Sequence, residues 1–203
     1  MPPKAKAAAP KAPAAKAVAR AKAEAVLEEP ASSSSWPPKV PFGPMEDVLP
    51  LVAADDDAID TLFLRPPDQE APPFGPEEME YVCQCLKKNT SVTHLNASFN
   101  AVGDRGAQHV AGLIGEGGAE ALVRVDLNGC GVGAAGAAAL AEALAANKSL
   151  QVVELMNNRI DDEGGRALLE MLKKNRKLKQ LQVSFNEISP EVQMQIDKQL
   201  MIR

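Results

Sequence analysis

The side chains able to do chemistry are few and scattered through the 203 residues. Cys83 and Cys85 lie two positions apart, which on a helix turns them about 200° from each other. His94 and His109 are the only histidines. No spacing gathers four ligands for zinc, and no metal centre is expected. Asp55, Asp56, Asp57 and Asp60 supply carboxylates, but nothing sets an octahedral cage, so they read as a solvated loop. The glycines at 115, 117 and 118 resemble a phosphate loop only loosely. No Gly-Lys-Ser or Gly-Lys-Thr follows them, and by register they come after a helix, not before one. No nucleophile, histidine and carboxylate set is apparent, so neither catalysis nor a cofactor is expected.

The informative spacing is apolar. A pattern L-x-x-L-x-L-x-x-N-x-I runs through Val92, Leu95, Ala97, Asn100 and Val102. It returns as Leu122, Val125, Leu127, Cys130 and Val132, then as Leu150, Val153, Leu155, Asn158 and Ile160. The fourth copy is Leu178, Leu181, Val183, Asn186 and Ile188, and the copies are 30, 28 and 28 residues apart. A weaker copy, Ile59, Leu62 and Leu64, precedes them and runs into a proline-rich loop. After each turn an apolar series recurs every four residues, as in Ile160, Gly164, Leu168 and Leu172. Spacing of two predicts a strand and spacing of four a helix of about three turns. Leu95, Leu127, Leu155 and Leu181 are expected side by side in a common interior.

These motifs resemble the leucine-rich repeat family, in its ribonuclease-inhibitor-like subclass with 28-residue units. The resemblance covers residues 59–203. It implies an α/β solenoid of about five strand-turn-helix units, with a parallel sheet on the concave side and helices on the convex side. One unit cannot bury its own apolar face, so the units must stack. Asn100, Asn158 and Asn186 are expected to satisfy backbone groups of neighbouring turns, and Cys130 to fill the same slot as a weak donor. Gly106, Gly136 and Gly164 let helix and sheet approach closely. Ser189 and Pro190 read as the cap and first turn of the last helix.

In a solenoid the concave strands present their solvent-facing side chains to a partner. The register gives Thr61, Phe63 and Arg65, then His94, Asn96 and Ser98. Arg124, Asp126 and Asn128 follow, then Val152, Glu154 and Met156, then Gln180, Gln182 and Ser184. Phe63, Val152 and Met156 are apolar at positions expected to be exposed, which suggests a contact patch. Phe99 and Phe185 stand just before the turn asparagine and are expected to pack over the turn. Met194, Met201, Ile202 and an open terminal strand are expected to be partly exposed, which suits a subunit of a larger assembly.

Three regions follow: an Ala/Lys/Pro-rich arm and Ser/Pro linker at 1–44, a capping region with a degenerate first repeat at 45–91, and four repeats at 92–203. Fifteen of 16 prolines lie in residues 1–76. The arm has too little apolar surface to offset chain entropy and is expected to be disordered in isolation, with a transient helix over 14–29. Its cations Lys4, Lys6, Lys11, Lys16, Arg20 and Lys22 have no acid among them, although the chain carries −5 overall. The body is therefore acidic, which argues against nucleic-acid binding by the repeats. The arm reads as a solvated tail, as an anchor on an acidic polymer such as tubulin, as a nucleic-acid contact similar to linker-histone tails, or as a Lys-rich transit peptide without an amphipathic face. Trp36 is either solvated or a docking anchor. No apolar run is long enough to span a membrane. Three cysteines give no disulfide framework and suit a reducing compartment.

The reading is a non-catalytic protein-interaction module and cytoplasmic structural subunit. It would bind through the concave sheet and terminal edge, with the arm as second anchor. Architecture and composition look like axonemal proteins of cilia and flagella, and like the tropomodulin class of actin-capping proteins. Ran GTPase-activating proteins share the repeat subclass but are longer and bear an acidic tail. An innate-immunity sensor fragment is disfavoured, because no nucleotide-binding segment precedes the repeats.

Overall fold

The computed structural model describes residues 45–55, 59–65, 73–115 and 117–202. The elements are α1 (Met45–Ala53), β1 (Thr61–Phe63), α2 (Pro76–Leu86), β2 (His94–Asn96), α3 (Gly103–Ile114) and β3 (Arg124–Asp126). Then come α4 (Ala134–Ala146), β4 (Val152–Glu154), α5 (Asp162–Lys174), β5 (Gln180–Gln182) and α6 (Pro190–Met201). The five strands form one parallel sheet in the order of the chain. Leu62, Leu95, Val125, Val153 and Leu181 stand in register across it. The helices pack each on the next, α2 through α6.

Each strand puts one side chain inward between two that face the sheet surface, and the inward one is buried throughout. Leu95, Leu127, Leu155 and Leu181 all lie in one core. They occupy two rows, not the single row expected. Leu95 and Leu181 share a row with Val125 and Val153. Leu127 and Leu155 stand two residues further along, in line with Ala97 and Val183, because a two-residue step returns to the same face.

Asn100, Asn158 and Asn186 each donate to carbonyls of the preceding repeat, at Leu64, Leu127 and Leu155. Asn158 Oδ1 also accepts Cys130 N and Val132 N, tying two coils with one side chain. Cys130 donates from Sγ to Ala97 O at 3.1 Å. Burial pushes its thiol up to about 11.

A second asparagine ladder, outside the strand-and-turn repeat pattern, runs along the opposite edge. Asn89, Asn147 and Asn175 follow their helices. Each accepts two backbone N–H groups of its own turn on Oδ1. Each donates from Nδ2 to the last turn of the preceding helix, at Val52 O, Ile114 O and Leu144 O respectively. Because Val52 takes this role, α1 occupies the place of a preceding repeat's helix, with Leu49 and Val52 buried in the common core. Asp55 is fixed at the same junction, accepting from Thr90 N, Thr90 Oγ1 and Ser91 N. Burial works to raise its carboxyl, but those hydrogen bonds outweigh it and hold it below the usual range. The expected solvated loop is thus corrected at Asp55, while Asp56 and Asp57 lie outside the described residues.

Helix capping is passed between repeats. Asp104 Oδ1 accepts Gly133 N and Gly136 N at the start of α4. Asp162 accepts Ser189 N and the Ser189 hydroxyl at the start of α6. Ser189 makes no side-chain cap of its own, contrary to expectation, because its hydroxyl is turned to Asp162. The equivalent residue before α5 is Ala134, which has no carboxylate. Accordingly α5 is capped from within, by Asp161 accepting Glu163 N and Gly164 N.

Candidate protein-binding face

The concave surface is a grid of three rows across five strands. Thr61, His94, Arg124, Val152 and Gln180 form the first row, and Phe63, Asn96, Asp126, Glu154 and Gln182 the second. Arg65, Ser98, Asn128, Met156 and Ser184 follow as the third, just past the strand ends. Period-two alternation puts all three rows on the face opposite the core.

The centre of the grid is a hydrogen-bonded polar cluster. Arg124 donates from Nε to Asp126 at 2.8 Å and from Nη2 to Glu154 on the next strand at 2.7 Å. Asn128 donates to the other Glu154 oxygen at 2.8 Å and accepts Met156 N at 2.8 Å. Asn96 donates to Asp126 at 3.3 Å. Three strands are cross-linked, so these side chains are held in place before any partner arrives. Burial raises the Asp126 carboxyl against the pull of Arg124, and Glu154 adds to the rise. Burial, then the charge of Arg124, pushes His94 down to about 4, against the opposite pull of Asp60 and Glu154. His94 is therefore neutral at pH 7.

The structure brings the predicted face residues onto one surface but does not leave all of them free. Val152 is only 5% exposed, so it is no part of an exposed apolar patch. Asp126 is also 5% exposed, held beneath Arg124. Phe63 and Met156 are half-buried, Gln182 likewise, while Arg65 and Gln180 are exposed. The arm residues Lys4, Lys6, Lys11, Lys16, Arg20, Lys22 and Trp36 lie outside the described residues.

Phe99 and Phe185 depart most from expectation. They are 74% and 78% exposed and stay out of the core, although the Phe99 ring rests on the next turn at Gly129. Both have left-handed backbone, φ 62° and 59°, as do the equivalent Gly129 (64°) and Asn157 (56°). The turn demands this conformation, which glycine and asparagine tolerate and a large side chain adopts at about 1–2 kcal/mol. The Phe99 ring lies across Gly129: a β-carbon on that glycine would stand 2.8 Å from Cδ1 of the ring. The signal was in the sequence, since Phe, Gly, Asn and Phe alternate at one repeat position, but it becomes legible only with the backbone angle.

Among the described residues no group of three or more histidine, cysteine or acidic side chains could hold a metal. Cys83 is buried, with its thiol pushed up to about 12 by burial. No helix of the described residues is long and apolar enough to cross a membrane.

The chain matches the family model described as Leucine Rich repeat at residues 88–111, 119–141, 146–169 and 174–191. Among curated proteins it is similar to NACHT, LRR and PYD domains-containing protein 4E of Mus musculus, at 31% identity over 84 residues, 41% of this chain and 8% of that protein. It is similar also to NACHT, LRR and PYD domains-containing protein 13 of Homo sapiens, at 33% over 85 residues, 42% of this chain and 8% of that protein. The matched stretch thus spans a small part of either relative. Among solved structures, Leiomodin-1 Actin-Binding Site 2 superposes with a TM-score of 0.68 at 18% identity, covering 78% of this chain and 88% of that one. The tropomodulin C-terminal domain of Caenorhabditis elegans gives 0.63 at 13%, covering 78% and 92%. At such identities the likeness is one of fold.

Proposed function

Since the chain is a leucine-rich repeat protein, and such repeats are protein-interaction modules, we propose that it is a non-catalytic structural subunit of a cytoskeletal, axonemal assembly that holds a polypeptide on its concave sheet. The observation that carries this reading is the cross-strand cluster of Arg124, Glu154, Asn128, Asp126 and Asn96. It fixes a polar surface in advance, and preorganisation lowers the ordering cost of association. Arg65, Gln180 and Gln182 surround it with accessible polar side chains, and Phe63 and Met156 supply half-covered apolar area. The terminal edge at β5 is a second contact surface. The basic arm is an anchor on tubulin or another acidic polymer, and two linked contacts gain through effective concentration.

The rival reading is regulation of actin filaments. It is favoured by the fold likeness to a leiomodin site and a tropomodulin domain. Co-sedimentation of the full chain with microtubules and with actin filaments separates the two. The axonemal reading expects pelleting with microtubules, weakened by deleting residues 1–44. Pelleting with actin alone replaces it by the rival. Met156→Lys and Gln182→Lys, outside the charged cluster, should weaken binding to whichever polymer or polymer-bound partner uses the concave face. Unchanged binding in both variants sinks that face as the interface.

A further inference from the structure

All five strands point the same way, so their C-terminal ends and the N-termini of α2 to α6 share one rim of the solenoid. Among the described residues that rim carries Glu77, Glu78, Asp104, Asp161, Asp162, Glu163, Glu187 and Glu191, against Arg65, Arg105, Arg159 and Arg166. Arg105 and Arg166 are already paired there, with Glu77 and Asp162. The opposite rim gathers Lys87, Lys88, Lys148, Arg176, Lys177 and Lys179, all exposed. Thus α2, α3, α5 and α6 have acids in the first turn, α4 has none, and in α2, α4 and α5 cations stand at or just past the end. The repeats add these into two oppositely charged edges.

Phe99 and Phe185 stand on the acidic rim, in the loops after β2 and β5. Three strand spacings separate those loops, about 14 Å. Neither ring fills the core, and each sits on backbone that disfavours its side chain. Between them the equivalent positions hold Gly129, against which the Phe99 ring rests, and exposed Asn157. Two exposed aromatics on an anionic edge suit an apolar ligand with positive flanks, because the rings supply burial and the carboxylates supply orientation.

We propose that this rim is a docking surface for an extended cationic segment of a partner protein, with Phe99 and Phe185 gripping two apolar side chains four residues apart. Four residues of extended chain span about 13 Å and return to the same face, which matches the separation of the loops. Lysines and arginines at the Phe185 end meet Asp161, Glu163, Glu187 and Glu191, and those beyond Phe99 meet Glu77 and Glu78. The inference rests on reading the domain as a protein-binding module, but it uses the rim and not the concave grid.

The test measures binding of the full chain to three synthetic peptides by fluorescence anisotropy. One has two leucines four residues apart between Lys/Arg flanks, one has serines in place of the leucines, and one has Glu/Asp flanks. The leucine peptide with basic flanks should bind at least tenfold tighter than either of the others and weaken as salt rises. Phe99→Asn with Phe185→Asn should bring it down to the serine-peptide level without lowering the thermal midpoint, since asparagine suits the left-handed backbone. Arg124→Gln should leave this affinity unchanged. Sensitivity to Arg124→Gln alone would move the site to the concave face and overturn the rim while sparing the proposed function. Equal binding by the double asparagine variant, no discrimination among the peptides, or a lower midpoint in the double variant would also overturn it. So would a peptide of residues 1–44 that outcompetes the leucine peptide with the same dependence on Phe99 and Phe185, because the rim would then belong to the chain's own arm.

Discussion

Asn175 donates from Nδ2 to the carbonyl of Asn147, 28 positions earlier, at 3.2 Å, so two residues at the same repeat position are tied directly. The same nitrogen reaches Leu144 O at 2.6 Å, and Oδ1 accepts Lys177 N and Leu178 N. One buried amide thereby closes the end of α4, its own turn and the entry to β5.

Asn175→Ala leaves two N–H groups and two carbonyls without that partner. Each unsatisfied buried group costs about 1–3 kcal/mol, so a loss of about 2–4 kcal/mol is expected once water reaches part of the turn. Urea denaturation followed by circular dichroism measures it. A loss below about 1 kcal/mol would mean that the second ladder is incidental to stacking.

Gly164 and Gly112 are both helical glycines with opposite surroundings. A β-carbon on Gly164 would stand 2.8 Å from Ile160 Cγ2, 3.1 Å from Ala137 Cβ and 3.2 Å from the Ala134 backbone. Gly164→Ala should therefore destabilise by about 1–3 kcal/mol despite the better helix propensity of alanine. Nothing stands within 4 Å at Gly112. Gly112→Ala should stabilise by about 0.5–1 kcal/mol. Thermal melts of the two variants should shift in opposite directions.

His94 predicts an acid sensitivity. Its folded value, about 4, lies below the ordinary 6.5. The unfolded chain therefore binds the proton more readily, and stability falls as pH drops from about 6.5 towards 4, by up to roughly 2–3 kcal/mol. Asp126, with its carboxyl raised, opposes this by gaining stability in acid, and Asp55, lowered, adds to the loss. The difference between the wild type and His94→Asn isolates the imidazole. The wild type should lose its advantage over the variant through that window, and a pH-independent difference would show that His94 titrates normally.

Thiol labelling should separate the cysteines. Cys83 and Cys130 are buried, with thiols pushed up to about 12 and about 11, while Cys85 is half-buried and raised less. Iodoacetamide at pH 7.5 should modify Cys85 first and slowly, with Cys83 and Cys130 reacting only on unfolding. Rapid modification of Cys130 in native protein would mean that the turn around Asn128 opens.

The repeat was legible in the residues themselves. Spacings of two and four, returning at 28 to 30 positions, leave few ways to bury Leu95, Val125, Leu155 and Leu168 except in stacked coils. The asparagine after each strand marks its turn by type and place. The ladder at Asn89, Asn147 and Asn175 escaped because its second member is missing where the two-residue insertion stands, which breaks the period. Capping by Asp104 and Asp162 escaped because each serves a helix that begins about 30 residues later.

Which face residues are accessible was decided only by packing. Period two places Val152, Asp126 and Gln180 alike on the outer side of the sheet, yet Val152 and Asp126 are covered and Gln180 is not. Cover depends on the neighbouring strand's side chains, which no single strand specifies. Likewise the phenylalanines before Asn100 and Asn186 read as turn packing until the left-handed backbone turned both rings to solvent. The separation of charge into two rims follows from the parallel sheet: it sends every helix start to one edge, where acids scattered along the chain become neighbours. Sequence determined what must be hidden, because hydrophobic period is local; tertiary structure determined what is left out, because exposure is a property of neighbours.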